Sequence, residues 1–354
     1  MTTTELEVHV SGASQHQDCN RLYWLLNRDD GMYTLRFPAS ALRLGSLIHD
    51  ALDRYYYRGR LMQDAFKEAH EAQMQAMIAR VPGGVLWDEE KEDIQKQVRL
   101  GAGMLHGYQE WIGHSLGQDL NDDQLVWHDV ERAFHLEYEG VKMAGRWDGI
   151  VEHRVTGDWY IVEHKTARSI DEAEKGIPWD PQPYFYVWAA SHILDVPISG
   201  VLYNFLGKSD IYNIPLLKNG LPSKAKGTLT TYDAYKETLE RCIKDFSENE
   251  RDNVFDDYKD VLERLLVDAP EVFKRIMFLV SPTLMEATRR QMIVEAHKMR
   301  QTLIDGPLAQ PSKSRFRCGR CPVRNICLAI DSGANWEEVA DSELCPNMRE
   351  NSES

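Results

Sequence analysis

The stretch Gly145–Thr166, GRWDGIVEHRVTGDWYIVEHKT, decides the fold. Ile150-Val151 and Trp159-Tyr160-Ile161-Val162 are rich in β-formers, and Thr156-Gly157-Asp158 between them reads as a turn. The turn folds Asp148 back beside Glu163. If Trp159 to Thr166 is a strand, Glu163 and Lys165 share one face while Val162 and His164 share the other. Two carboxylates can then hold a hard divalent cation, with the His164 backbone carbonyl as a further ligand, and the Lys165 ammonium can steady an attacking water or the charge growing on a phosphate. An ordinary surface hairpin with alternating charges would read the same way, so other parts of the chain must decide.

Ahead of the hairpin, Leu44, Leu47, Ile48, Ala51 and Leu52 recur at helical spacing, with His49 beside the stripe. An isolated histidine there is more often structural, but here carboxylates await it. Behind the hairpin, a helical run from Gln182 to about Leu194 puts Gln182 and Tyr186 one turn apart on one face. That pair can bond a backbone phosphate or hold the lysine.

Near the far end, Cys318-Gly319-Arg320-Cys321 is followed five residues on by Cys327. Thiols this close imply a soft metal site. A zinc ribbon would usually show two C-x-x-C knuckles, whereas the irregular spacing suits an iron-sulfur cluster better. The fourth ligand must come from Cys19, Cys242 or Cys345. Cys345 is near in sequence and stays open. Cys19 is preferred because it would let the cluster clip the two ends of the domain together, and Cys242 reads as a small buried hydrophobe in a helix.

Taken together, these motifs resemble the RecB-like members of the PD-(D/E)XK nuclease superfamily, in the iron-sulfur branch that includes the CRISPR-associated RecB-like exonucleases and the AddB nuclease domain. The resemblance implies a restriction-endonuclease-like α/β fold, a mixed sheet flanked by helices. It implies Mg2+ or Mn2+ on His49, Asp148 and Glu163, Lys165 as catalytic lysine, and Gln182 with Tyr186 as the Q-x-x-x-Y motif. It also implies a [4Fe-4S] cluster on Cys19, Cys318, Cys321 and Cys327. The activity implied is a DNA exonuclease preferring an end, in recombination, repair or spacer acquisition, working with a recombination or annealing partner protein. The alternatives are a flap or structure-specific endonuclease and, in another class, a non-catalytic DNA-binding scaffold. The motifs span residues 19 to 327 but are short.

Composition limits the partners. The 354 residues carry a net charge of -15, which opposes phosphate binding driven by counterion release. Local distribution is the remedy: Lys313, Arg315, Arg317, Arg320 and Arg324 fall within twelve residues around the cysteines, with Phe316 available for stacking. Six cysteines are too few for a disulfide scaffold, and a thiolate cluster needs reducing surroundings, so a cytoplasmic location is expected. No leading segment reads as a secretory signal and no apolar run is long enough for a membrane span.

Along the chain the expectation is one nuclease domain over 1–347. Its catalytic core covers about 40–57 and 124–206, helical insertions cover about 61–118 and 230–303, and the cysteine region 313–330 joins Cys19. Residues 348–354 read as a disordered tail.

Overall fold

A computed structural model describes residues 6–28, 33–35, 40–114, 119–268 and 271–346. The chain begins with β1 (Glu7–Val8), α1 (Val10–Asp18), α2 (Asn20–Asn27) and β2 (Tyr33–Leu35). Three long helices follow, α3 (Ser40–Arg58), α4 (Met62–Arg80) and α5 (Asp88–His114), the last two parted by a short turn at Pro82–Gly84. The stripe on α3 is buried as its periodicity requires: Leu44, Leu47, Ile48, Ala51 and Leu52 are all in the core.

Next come β3 (Leu125–Tyr138), β4 (Val141–His153), β5 (Trp159–Ala167), α6 (Ile170–Gly176), α7 (Gln182–Ile193) and β6 (Ile198–Gly207). The β3–β4 hairpin closes on Glu139 and Gly140, both at positive φ (50° and 74°), the backbone that a two-residue turn matching strand twist demands. The remainder is α8 (Tyr232–Cys242), α9 (Glu248–Val267), β7 (Phe273–Leu279), α10 (Pro282–Asp305), α11 (Arg315–Cys318), α12 (Arg324–Ser332), α13 (Trp336–Glu343) and β8 (Leu344–Pro346).

The main sheet is mixed and six-stranded. β3 runs antiparallel along the whole of β4, whose other edge is shared: β1 pairs in parallel at Lys142 and Met143, and β5 antiparallel at Gly149 to Glu152. β6 then lies parallel to β5, and β7 antiparallel to β6. The parallel β5–β6 pair needs a crossover, and α6 and α7 provide it. Alternation along the strands feeds two cores. Ile161, Val201, Tyr203 and Phe205 pack with α1, α7 and α10, while Leu206 and Phe273 pack with α3 and α5. The result is helices on both faces of one sheet.

The region expected to be a helical insertion over 230–303 is corrected. It contains β7, an edge strand of the main sheet, and α10 packs on α7, so both belong to the core. Lys274 and Arg275 hid this strand, because buried positions in β7 are few and its apolar alternation is weak. β1 likewise extends the core beyond its expected limits. Cys242 is half-buried at the end of α8 rather than buried. The tail expected over 348–354 lies outside the described residues.

The first and last described segments come together. β2 and β8 form a two-stranded antiparallel sheet, and Trp24, Leu25, Val323, Ile326 and Leu344 share a small core.

Candidate active site

The ladder between β4 and β5 ends at Gly149–Val162, one step short of Asp148 and Glu163. Beyond that point the strands part. The amide freed by their separation is used at once: the His164 N–H donates to Asp148 Oδ2 at 2.7 Å. Asp148 is thereby fixed in the opening between the strands.

α3 crosses this opening. His49 Nδ1 lies 3.4 Å from Asp148 Oδ2. On the α7 side of β5, Lys165 Nζ is 2.8 Å from Glu163 Oε1 and donates to Gln182 Oε1 at 2.8 Å, with Asp180 Oδ2 at 3.9 Å. Tyr186 stands one turn along α7 from Gln182 and is buried beside it. The structure therefore brings His49 to Asp148, and Glu163, Lys165 and Gln182 to one another with Tyr186 one turn on; the His164 backbone, between Glu163 and Lys165, links the two groups through its bond to Asp148.

One member was not read from sequence. Ligand atoms of His49, Asp148 and Glu131 all lie within 4.8 Å of one another. Val130 faces Gly149 and Arg132 faces Trp147, so Glu131 lies between them, across the ladder from Asp148. Its φ of 49° is unusual inside a strand, and Arg146 Nη1 is its cationic neighbour at 3.4 Å. Counting outward from the Glu139-Gly140 turn would have found it.

The electrostatics show a site rich in acid. Burial pushes the Glu131 carboxyl up, and the charge of Asp148 adds to this, to about 7 against the opposing pull of His49 and Arg146. Glu163 is raised for the same two reasons, burial and Asp148, with Lys165 opposing. Burial would raise Asp148 as well, but His49 and the His164 amide hold it below the usual carboxylate range. Burial would lower His49, yet Asp148, Glu163 and Glu131 raise it to about 9. Such a group gathers a proton where a divalent cation would serve better. The donor set of imidazole nitrogen and carboxylate oxygens fits magnesium or manganese.

Behind the site sits a buried polar network. Arg275 of β7 donates to Asn204 Oδ1 at 3.2 Å, Tyr108 Oη at 2.6 Å and Tyr56 Oη at 2.9 Å, and pairs with Asp122 at 2.7 Å. With its carbonyl so occupied, Asn204 presents Nδ2 to His164 Nδ1 at 2.9 Å, so the His164 ring proton is on Nε2. Burial drives His164 down to about 3, and it stays neutral beside Asp148.

The cysteines form a separate place. Cys19, Cys318, Cys321 and Cys327 all line one cavity of about 540 Å³, together with Arg315 and Arg324. Arg21 donates to Cys327 Sγ at 3.3 Å, and the Ser312 and Ser314 amides to Cys19 and Cys318, each at 3.4 Å. Burial pushes the Cys321 thiol up, and the other three thiols add to it. Cys345 is instead buried in β8, its sulfur 3.8 Å from the Thr34 carbonyl. Arg317 is paired with Asp18 at 2.5 Å, Arg320 and Arg324 are exposed, and Phe316 is 87% exposed.

No helix among the described residues is long and apolar enough to cross a membrane. Comparison with curated proteins gives no match. The sequence profile of the PD-(D/E)XK nuclease superfamily, in contrast, matches residues 8–328, which takes in both strands of the opening, α3, α7 and the cysteines as far as Cys327. A divalent-metal nuclease acting on DNA is what that match describes. The chain belongs to the PD-(D/E)XK nuclease superfamily.

Proposed function

We propose that this chain is a magnesium- or manganese-dependent deoxyribonuclease that digests single-stranded DNA from its ends, in recombination, repair or spacer acquisition. The observation that carries the reading is the group of His49, Asp148 and Glu131 where β4 and β5 separate, with the Glu163–Lys165 pair next along β5.

In this reading His49, Asp148, Glu163 and the His164 carbonyl hold the cation, and Glu131 joins them. A bound divalent cation supplies Lewis-acid polarisation of the phosphoryl oxygen and neutralises charge developing on it. Lys165, oriented by Gln182 and Glu163, donates to the attacking water or to a phosphate oxygen. Glu163, raised by burial and Asp148, is placed to take a proton from that water.

The cysteines hold a [4Fe-4S] cluster in the same reading. A zinc ion about 2.3 Å from each sulfur would draw four thiols into a tight group. Among the described residues the tight three-ligand group is His49, Glu131 and Asp148, and the thiols instead ring an open cavity. When bound, the cluster supplies cross-linking between α2 and the α11–α12 region. Arg21 and the Ser312 and Ser314 amides would donate to its sulfur ligands.

Digestion of end-labelled linear and circular single strands tests the activity. Release of mononucleotides or short products from linear strands alone is expected, with Asp148→Ala inactive. Cutting of circles would make the protein an endonuclease, and equal activity of Asp148→Ala would remove the nuclease assignment. Iron and acid-labile sulfide in anaerobically purified protein test the cluster; zinc in their place would overturn it.

A further inference from the structure

We propose that a single strand of DNA crosses the carboxyl ends of β5 and β6, stacking one base on Trp179 and placing a backbone phosphate on Arg168 and Lys208. This rests on the nuclease reading and names the contacts that select its substrate.

Trp179 is 86% exposed, although indoles are usually at least half covered. It is also firmly held. It ends the short 3-10 turn Ile177–Trp179, whose Pro178 carbonyl accepts the Tyr184 hydroxyl at 3.1 Å. The Asp180 amide bonds back to Ile177 at 3.0 Å, and the Asp180 carboxylate caps the Gln182 amide at 2.9 Å. The same carboxylate is the one 3.9 Å from Lys165 Nζ. An apolar ring is thus presented to solvent on a rigid turn, one residue from a group that touches the catalytic lysine.

Arg168 and Lys208 lie beyond the ends of the two parallel strands. Ala167 and Gly207 are partners in the β5–β6 register, and the Lys208 amide donates to the Ala167 carbonyl at 2.7 Å, so the residues following each strand are held side by side. Partial burial and the charge of Arg168 push the Lys208 ammonium down. Among the described residues neither cation has a carboxylate partner, in a chain with a net charge of -15. Two like charges held together without an acid leave an anion as the natural neutraliser. The carboxyl end of parallel strands is also where α/β sheets bind ligands.

Both features reach toward Lys165: Arg168 follows it by three residues just past the end of β5, and Trp179 precedes Asp180, whose carboxylate is 3.9 Å from its ammonium. Flat aromatic surface plus cations spaced along a groove is the pattern of sequence-tolerant single-strand binding. A duplex could not splay a base onto Trp179 without unpairing it.

The test uses full-length Asp148→Asn, so that the strand is not cut, with an oligothymidylate and an abasic strand of equal length. Binding is measured over a range of salt concentrations. Trp179→Ala is expected to weaken oligothymidylate binding by about tenfold and to leave the abasic strand unaffected. Arg168→Gln with Lys208→Gln is expected to weaken both strands and to reduce the slope of log affinity against log salt by about 1.4. Unchanged slope, or an equal effect of Trp179→Ala on both strands, overturns the inference while leaving the nuclease reading in place. Failure of the unsubstituted-surface protein to bind either strand overturns both. All three positions are solvent-accessible, and circular dichroism of the variants checks that the fold is intact.

Discussion

Glu131 of β3 and Asp148 of β4 face one another across an antiparallel ladder, with His49 closing the group. A buried carboxylate beside another carboxylate is unfavourable unless a cation lies between them. Replacing Glu131 by Gln keeps the size and removes the charge. Manganese affinity, read by calorimetry or by the paramagnetic signal of the free ion, is expected to fall at least about tenfold. Unchanged affinity would show that Glu131 serves Arg146 and the strand, and not the cation.

The metal-free protein should lose stability as pH rises. Glu131 is raised from its ordinary value to about 7, and His49 to about 9. A group whose folded pKa is raised contributes stability that is present below its unfolded value and is lost as pH climbs through the folded one. For Glu131 the loss runs from about pH 4.5 to 7, and for His49 from about pH 6.5 to 9. Manganese replaces the protons, so it should raise Tm most at the alkaline end of that range. Thermal melts with and without chelator across pH 5 to 9 measure this. A metal-induced rise that is greatest at acid pH would contradict the arrangement.

How much of this was legible in the chain depended on distance in sequence. His49 and its apolar stripe, the Glu163/Lys165 face, and the Gln182/Tyr186 pair each lie within one element, where a period of 3.6 or 2 fixes which residues share a face. The structure places them as that geometry requires. Glu131 needed the register of the β3–β4 hairpin counted from its turn, and its own φ of 49° breaks the period of 2 at that position, neither of which local periodicity encodes. β7 was unreadable for a different reason. An edge strand carrying Lys274 and Arg275 has no clean alternation, because its charged residues are satisfied by long-range partners such as Asp122 and Glu174.

Gln182 should act through the lysine. Its Oε1 accepts from Lys165 Nζ while Glu163 takes the other side of the ammonium, so the lysine is held between two acceptors. Lys165→Met is expected to lower kcat by roughly 10²- to 10⁴-fold with an unchanged fold. Gln182→Ala should lower kcat by less, up to about 10²-fold, and leave manganese affinity near wild type. A rise in KM alone would instead place Gln182 in substrate binding.

Arg275 offers the sharpest test of how the sheet supports the site. Its side chain is 4% exposed and is neutralised by Asp122, and its remaining donors go to Asn204, Tyr56, Tyr108 and the Leu120 carbonyl. Removing it leaves Asp122 without its cation and takes one donor from each of Tyr56 and Tyr108, whose hydroxyls keep as donors only each other and Asn204 Nδ2, so Arg275→Met should lower unfolding stability by about 3–5 kcal/mol in denaturant titrations. Lysine keeps the charge but not the fork, and should recover only part of the loss. The consequence reaches the active site because Tyr56 lies on α3, two turns from His49 on the same face, and Asn204 fixes the His164 ring whose own amide holds Asp148. Manganese affinity of Arg275→Lys, measured well below its melting temperature, should therefore fall along with stability. A stability loss at constant affinity would confine the network to the edge of the sheet, because α3 and β5 would then keep His49 over Asp148 without it.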